Sequence, residues 1–191
     1  MDPLTKQHFD NLQSKDARLR YASFQYIINL TKEQVEWAYQ VWDDLLALTK
    51  EGDNHQRTIA VQVLSNLAKS DPDKRMLKDL DKLFDVTKDE RFVTARHSLQ
   101  SLWKIGIVNI AFQKKVIEGL KKRFKECIEE KNCTLIRYDI SADFRKMYDQ
   151  LRDEKVKEAS LALIETEKDE KYKKKYQGLW KDVLKTGKEK K

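Results

Sequence analysis

GDNHQRTIAVQVLSNLAK, residues 52–69, is the stretch whose reading decides the fold. Gly52 suits the end of one helix, and Asp53 offers a side-chain oxygen to the bare N–H groups of the next. Counting from Arg57, the residues three, four, seven and ten positions on are Ala60, Val61, Leu64 and Leu67. At 100° per residue these four share one arc, so the stretch reads as an amphipathic helix. The helix before it, over 33–50, carries Trp37, Val41, Trp42, Leu45 and Leu48 at the same period. Together they make a helical hairpin.

The pattern recurs. Arg20, Arg57, Arg96 and Arg137 stand 37, 39 and 41 residues apart. Seven residues beyond them come Ile27, Leu64, Trp103 and Phe144, and ten beyond come Leu30, Leu67, Gly106 and Met147. The first two copies agree best and the later two drift. Other helices are predicted between them over 33–50, 73–87 (with Pro72 in its first turn) and 108–130, the last being the longest. One continuous helix is predicted over 92–105 and another over 133–151. The chain opens with a short helix over 3–12 and closes with two more, about 154–167 and 172–185. A unit of two helices in about 40 residues is the period of helical-repeat arrays.

The openings Asp16…Arg20 and Asp53…Arg57, each followed by an aliphatic run ending in Asn-Leu at Leu30 and Leu67, resemble the HEAT-like (armadillo-type) repeat family. The resemblance covers about residues 1–151. It departs in the third copy, where Asp89 precedes Arg96 by seven, and in the fourth, where Asn132 stands in place of Asp. It implies an all-α, right-handed α–α superhelix of about four to five hairpins. It also implies that Asp16, Arg20, Asp53, Arg57, Arg96 and Arg137 tie neighbouring repeats together. Alkylpurine DNA glycosylases are known with this architecture, but no catalytic Asp with flanking aromatics is matched here. No residue is carried over from them.

The second helices of such an array line its concave side, where partners are held. The polar stripe at that side takes Tyr21, Gln25, Lys32, Thr58, Gln62, Ser65, Lys69, His97, Ser101, Lys104, Tyr138 and Arg145 as its binding residues. The repeat arginines fall nearer the apolar arc and read as structural, each with an acidic partner. Trp37, Trp42 and Trp103 read as core.

The net charge of +7 points toward nucleic acid, but its distribution does not. Nine of the 39 basic and two of the 32 acidic residues lie in 171–191, which leaves 1–170 with thirty of each. Residues 1–170 therefore read as a neutral repeat body. Residues 171–191 read as a Lys-rich capping helix and tail, with Tyr172, Tyr176, Leu179, Trp180, Val183 and Leu184 on its apolar stripe. A protein or peptide in the concave groove is the first expectation for function, with a non-catalytic scaffold role. Nucleic acid, with a glycosylase-like repair enzyme as its catalytic variant, is the alternative. The sequence offers no glycine-rich phosphate loop, no HExxH, no GxSxG and no paired metal ligands, so it assigns no catalytic residue, metal or cofactor. The N-terminus lacks the charged and apolar regions of a signal peptide, no apolar run approaches a membrane span, and Cys127 and Cys133 read as reduced thiols. A cytoplasmic location is the expectation.

Overall fold

The computed structural model describes residues 1–186, and every regular element in it is helical. Helices α1 (Pro3–Asn11) and α2 (Ala17–Leu30) open the chain, followed by α3 (Ala38–Glu51) and α4 (Asn54–Leu67). Next come α5 (Met76–Val86), α6 (Phe92–Leu99), α7 (Trp103–Gly106) and α8 (Ile110–Glu126). The chain continues through α9 (Cys133–Leu151), α10 (Glu154–Glu165), α11 (Glu170–Gly178) and α12 (Lys181–Thr186). The final lysines of the Lys-rich end, Lys188, Lys190 and Lys191, lie outside the described residues.

Two rows of helices follow from the packing. In one row α3 packs on α5, α5 on α8 and α8 on α10. In the other, α2 packs on α4, α4 on α6 and α7, these two on α9, and α9 on α11. The pairs α1–α2, α3–α4, α5–α6 and α7–α8 join the rows. One apolar core runs between them, with Trp42, Leu64, Leu67, Leu120, Phe124 and Phe144 fully buried. It continues into the Lys-rich end, where Tyr176 and Trp180 are also fully buried.

Local chemistry sets the boundaries. Asp53 accepts from the N–H groups of His55 and Gln56 while the Gln56 side chain returns to the Asp53 N–H, a reciprocal cap that fixes the start of α4. Gly52 is required by a close approach: a Cβ there would come within 2.8 Å of Gln56 Cβ. Five predicted elements change. The closing 172–185 helix is broken by a turn at residues 179–180 and becomes α11 and α12. The 33–50 helix begins only at Ala38, because residues 31–37 form the turn that returns the chain. Pro72 does not open α5. It lies in a turn where Lys74 takes a φ of 56°, and the Asp71 carboxylate accepts from Arg75 N and Met76 N to start the helix after it. The 92–105 helix is broken at residues 100–102, where the Ser101 hydroxyl turns back to the Ser98 carbonyl. The longest helix among the described residues is α9, with 19 residues, rather than the 108–130 helix, which runs for 17 as α8.

The repeat arginines connect successive hairpins. Arg57 donates to both oxygens of Asp89 (2.5 and 3.1 Å), Arg96 to both of Asp139 (2.7 and 2.9 Å), and Arg137 to Glu167 at 2.9 Å. Arg20 is different: it donates to the Ser14 carbonyl at 2.8 Å. Asp16 caps α2 through Arg18 N and Leu19 N. Burial works to raise the acid partners, but the guanidinium hydrogen bonds win and hold Asp89 and Glu167 below the usual carboxylate range.

The cysteines correct the sequence reading. Cys127 ends α8 and Cys133 begins α9, so the return of the chain brings their Cα atoms to 5.1 Å, and the two are joined as a disulfide. The redox ground for a reducing compartment is thereby removed. A cross-link closing so short a loop stabilises mainly through the unfolded chain, by about 2 kcal/mol. Urea denaturation with and without dithiothreitol is expected to differ by that amount, with the reduced protein still helical.

Candidate functional site

Between α2, α4, α6 and α9 lies a groove of about 570 Å³. Its walls include Arg20, Tyr21, Phe24, His55, Thr58, Gln62, His97, Gln100, Ser101, Lys104 and Lys146. A second pocket of about 480 Å³ adjoins it and shares Lys104, adding Lys32, Gln34, Asn66, Lys69, Trp103, Ile107 and Val108. No carboxylate side chain lines either one.

Of the stripe proposed from sequence, Tyr21, Thr58, Gln62, His97, Ser101 and Lys104 line the groove, and Lys32 and Lys69 line the pocket beside it. The rest go elsewhere. Ser65 is buried between α4 and α7, bonded to the Val61 carbonyl and at 3.1 Å from the Ser101 hydroxyl. Thr58 and Ser101, though on the wall, are buried as well, and Thr58 accepts from Ser98. These small hydroxyls let neighbouring helices approach closely while satisfying each other. Gln25 is exposed and lines neither cavity. Tyr138 sits under the Lys175 ammonium and beside Tyr176, so it holds the C-terminal helices. Arg145 is clamped by Asp149 and Asp182, and these pairings raise its pKa. Trp42 is core, its indole N–H donating to Asp79, whereas Trp37 and Trp103 are half-buried.

Sequence reasoning missed Lys146 and Asp143. Asp143 is fully buried on α9, with Lys146 Nζ 3.4 Å from one oxygen and no hydrogen-bond partner on the other. A signal was present, since Asp143 interrupts the apolar stripe Ile136, Ile140, Phe144 and Met147. Burial pushes its pKa up to about 8, against the pull of Lys146. Across the groove floor, burial and then the charges of Lys146, Lys69 and Lys32 push the Lys104 ammonium down.

The sign of the Asp143 effect follows. Between about pH 4 and pH 8 the folded protein holds a proton that the unfolded chain has released, so stability falls as pH rises through that window. Asp143→Asn is expected to match the parent near pH 4 and to melt roughly 5 °C or more higher at pH 9. A melting series from pH 4 to 9 checks this; parallel curves for the two proteins would refute it.

Among the described residues, no group of three or more His, Cys, Asp or Glu side chains is placed to hold a metal ion, and no helix is long and apolar enough to cross a membrane. Comparison with protein-family models and with curated proteins finds no match.

Proposed function

We propose that this protein binds nucleic acid, without catalysis, along the groove of the second helix row. In this reading the hairpins stack as a HEAT-like right-handed superhelix whose concave side is that row. One observation carries it: Arg20, His55, His97, Lys104, Lys146, Lys32 and Lys69 line two adjoining cavities with no acidic side chain among them. Residues 1–170 carry equal numbers of acidic and basic groups, so this is segregation of charge and not its total. The neutral total favoured a peptide partner at the level of sequence; the segregation favours a polyanion. Phosphates spaced along a backbone match a row of cations drawn from successive helices, and releasing their counterions drives association.

The test is fluorescence polarisation of the full chain with labelled duplex and single-stranded oligonucleotides and with an acidic peptide, over a salt series. Binding of nucleic acid that weakens steeply with salt is expected. Removing the Lys-rich end is a poor control, because Tyr176 and Trp180 belong to the core. Substituting Lys171, Lys174 and Lys181 by Gln is better, and is expected to leave most of the affinity. Loss of binding on those substitutions would move the contact to the C-terminal helices. Preference for the acidic peptide would restore the protein-partner reading.

A further inference from the structure

We propose that the pocket formed by Lys32, Lys69, Lys104 and Trp103 holds a single phosphorylated nucleotide unit, with its phosphate on the three ammonium groups and its base against Trp103, Ile107 and Val108. The unit is either a free nucleotide or the terminal nucleotide of a strand, and only the second source rests on the nucleic-acid reading above.

The three lysines come from separate places. Lys32 follows α2, Lys69 lies in the turn after α4, and Lys104 is on α7. Each ammonium has an oxygen partner, and each partner is neutral. Lys32 Nζ donates to the Asn29 side chain at 3.1 Å, Lys69 Nζ to the Lys32 carbonyl, and Lys104 Nζ to Asn66 Oδ1 at 2.8 Å. Cations at helix C-termini are ordinary, since they face the carbonyl end of the helix dipole. That accounts for one lysine at each helix end. It does not account for three of them meeting around one cavity, in a chain with 32 acidic residues, without a carboxylate on its wall.

The cluster is also organised from beneath. Asn66 is buried, and its amide nitrogen donates to the Ile28 carbonyl at 3.2 Å and to Thr31 Oγ1 at 3.0 Å. The Thr31 hydroxyl is itself spent on the Ile27 carbonyl at 2.7 Å. The Asn66 oxygen is thereby turned toward Lys104 and sets its position before any ligand arrives. Gln34, bonded to the Lys69 carbonyl at 2.9 Å, fixes the far side. Mutual repulsion among like charges held this way is relieved by a doubly charged phosphate monoester.

The remaining wall is apolar. Trp103, Ile107 and Val108 are half-buried around the cavity, and Lys146 lies over the indole at 5.8 Å. A volume of about 480 Å³ falls within the range of small-molecule sites. A ring-bearing ligand with one anionic end uses both kinds of wall, whereas inorganic phosphate uses only one.

Isothermal titration of the full protein with adenosine 5′-monophosphate, adenosine and inorganic phosphate tests the site. The monophosphate is expected to bind at least tenfold more tightly than either fragment. Lys69→Ala is expected to weaken it about tenfold, and Trp103→Leu to weaken it while leaving phosphate binding unchanged. Since Trp103→Leu touches the core, the wild-type protein supplies a second test: 5′-phosphorylated against 5′-hydroxyl single strands of one sequence. Preference for the phosphorylated strand, with or without binding of the free nucleotide, supports the site and names the strand end as a source. Monophosphate and phosphate that both bind, and with equal affinity, would overturn it. So would oligonucleotides that bind with no preference for the 5′-phosphate while the monophosphate fails to bind, an outcome that leaves the nucleic-acid reading standing. Monophosphate bound with no oligonucleotide bound would sustain the pocket and end that wider reading.

Discussion

Arg123→Ala is expected to destabilise the fold by about 4 kcal/mol, lowering the melting temperature by roughly 10 °C. Arg123 is 1% exposed, and its guanidinium donates to Thr87 Oγ1 (3.1 Å), to the Thr87 carbonyl (3.0 Å) and to both oxygens of Glu130 (2.5 and 2.8 Å). Truncation strands the buried Thr87 carbonyl and leaves a cavity where the buried guanidinium lay, and both losses are costly inside a packed core. Glu130 is 41% exposed and can return to water, so the cost stays below that of a wholly buried pair. Arg123→Met fills the space without the donors and is expected to recover about half of the loss. Thermal melts of the two variants check this; equal melting temperatures for them would assign the whole effect to the lost hydrogen bonds.

The second large effect is on the proposed nucleic-acid binding. Replacing Lys32, Lys69 and Lys104 together by Ala is expected to weaken nucleic-acid affinity about a hundredfold near 0.1 M salt, at roughly 1 kcal/mol for each charge-assisted contact. The slope of log K against log salt is expected to fall by about two to three units, since each lost phosphate contact removes about 0.7 to 0.9. Stability is expected to fall by only about 1 kcal/mol, as Lys32 is exposed and Lys69 half-buried, and the one buried group left unpaired is the Asn66 oxygen that Lys104 serves. An unchanged slope would remove these lysines from the interface, whatever happened to the affinity.

Much of the helical content was legible, because apolar residues at a period near 3.6 and caps such as Asp16 and Asp53 are local signals. Partners across the structure were not. Arg57, Arg96 and Arg137 occupy one repeat position, yet their acids come from two kinds of place: the inter-helix links before α6 and before α11, and the body of α9. No fixed spacing marks them. The groove was half legible for a similar reason. A single helical phase counted from Arg96 placed Lys104 on the wall even across the interruption at residues 100–102. On the uninterrupted α9 the groove takes Lys146, one position beyond the stripe's Arg145, and Arg145 turns to Asp149 and Asp182. The disulfide escaped because a separation of six says nothing of how sharply α8 returns into α9.

The arginine series bears on how the molecule opens. Each clasp spans a sequence distance of 30 to 43 residues and joins a hairpin only to its successor. Strain at one junction is thus handed to its immediate neighbours and not to the whole molecule. The series lacks an acidic clasp at its first member, Arg20, whose guanidinium closes on the Ser14 carbonyl of its own hairpin. Unzipping is therefore expected to start at α1 and α2, with their amide protons the first to exchange and the Arg20 and Tyr21 wall of the groove lost before the lysine cluster is disturbed.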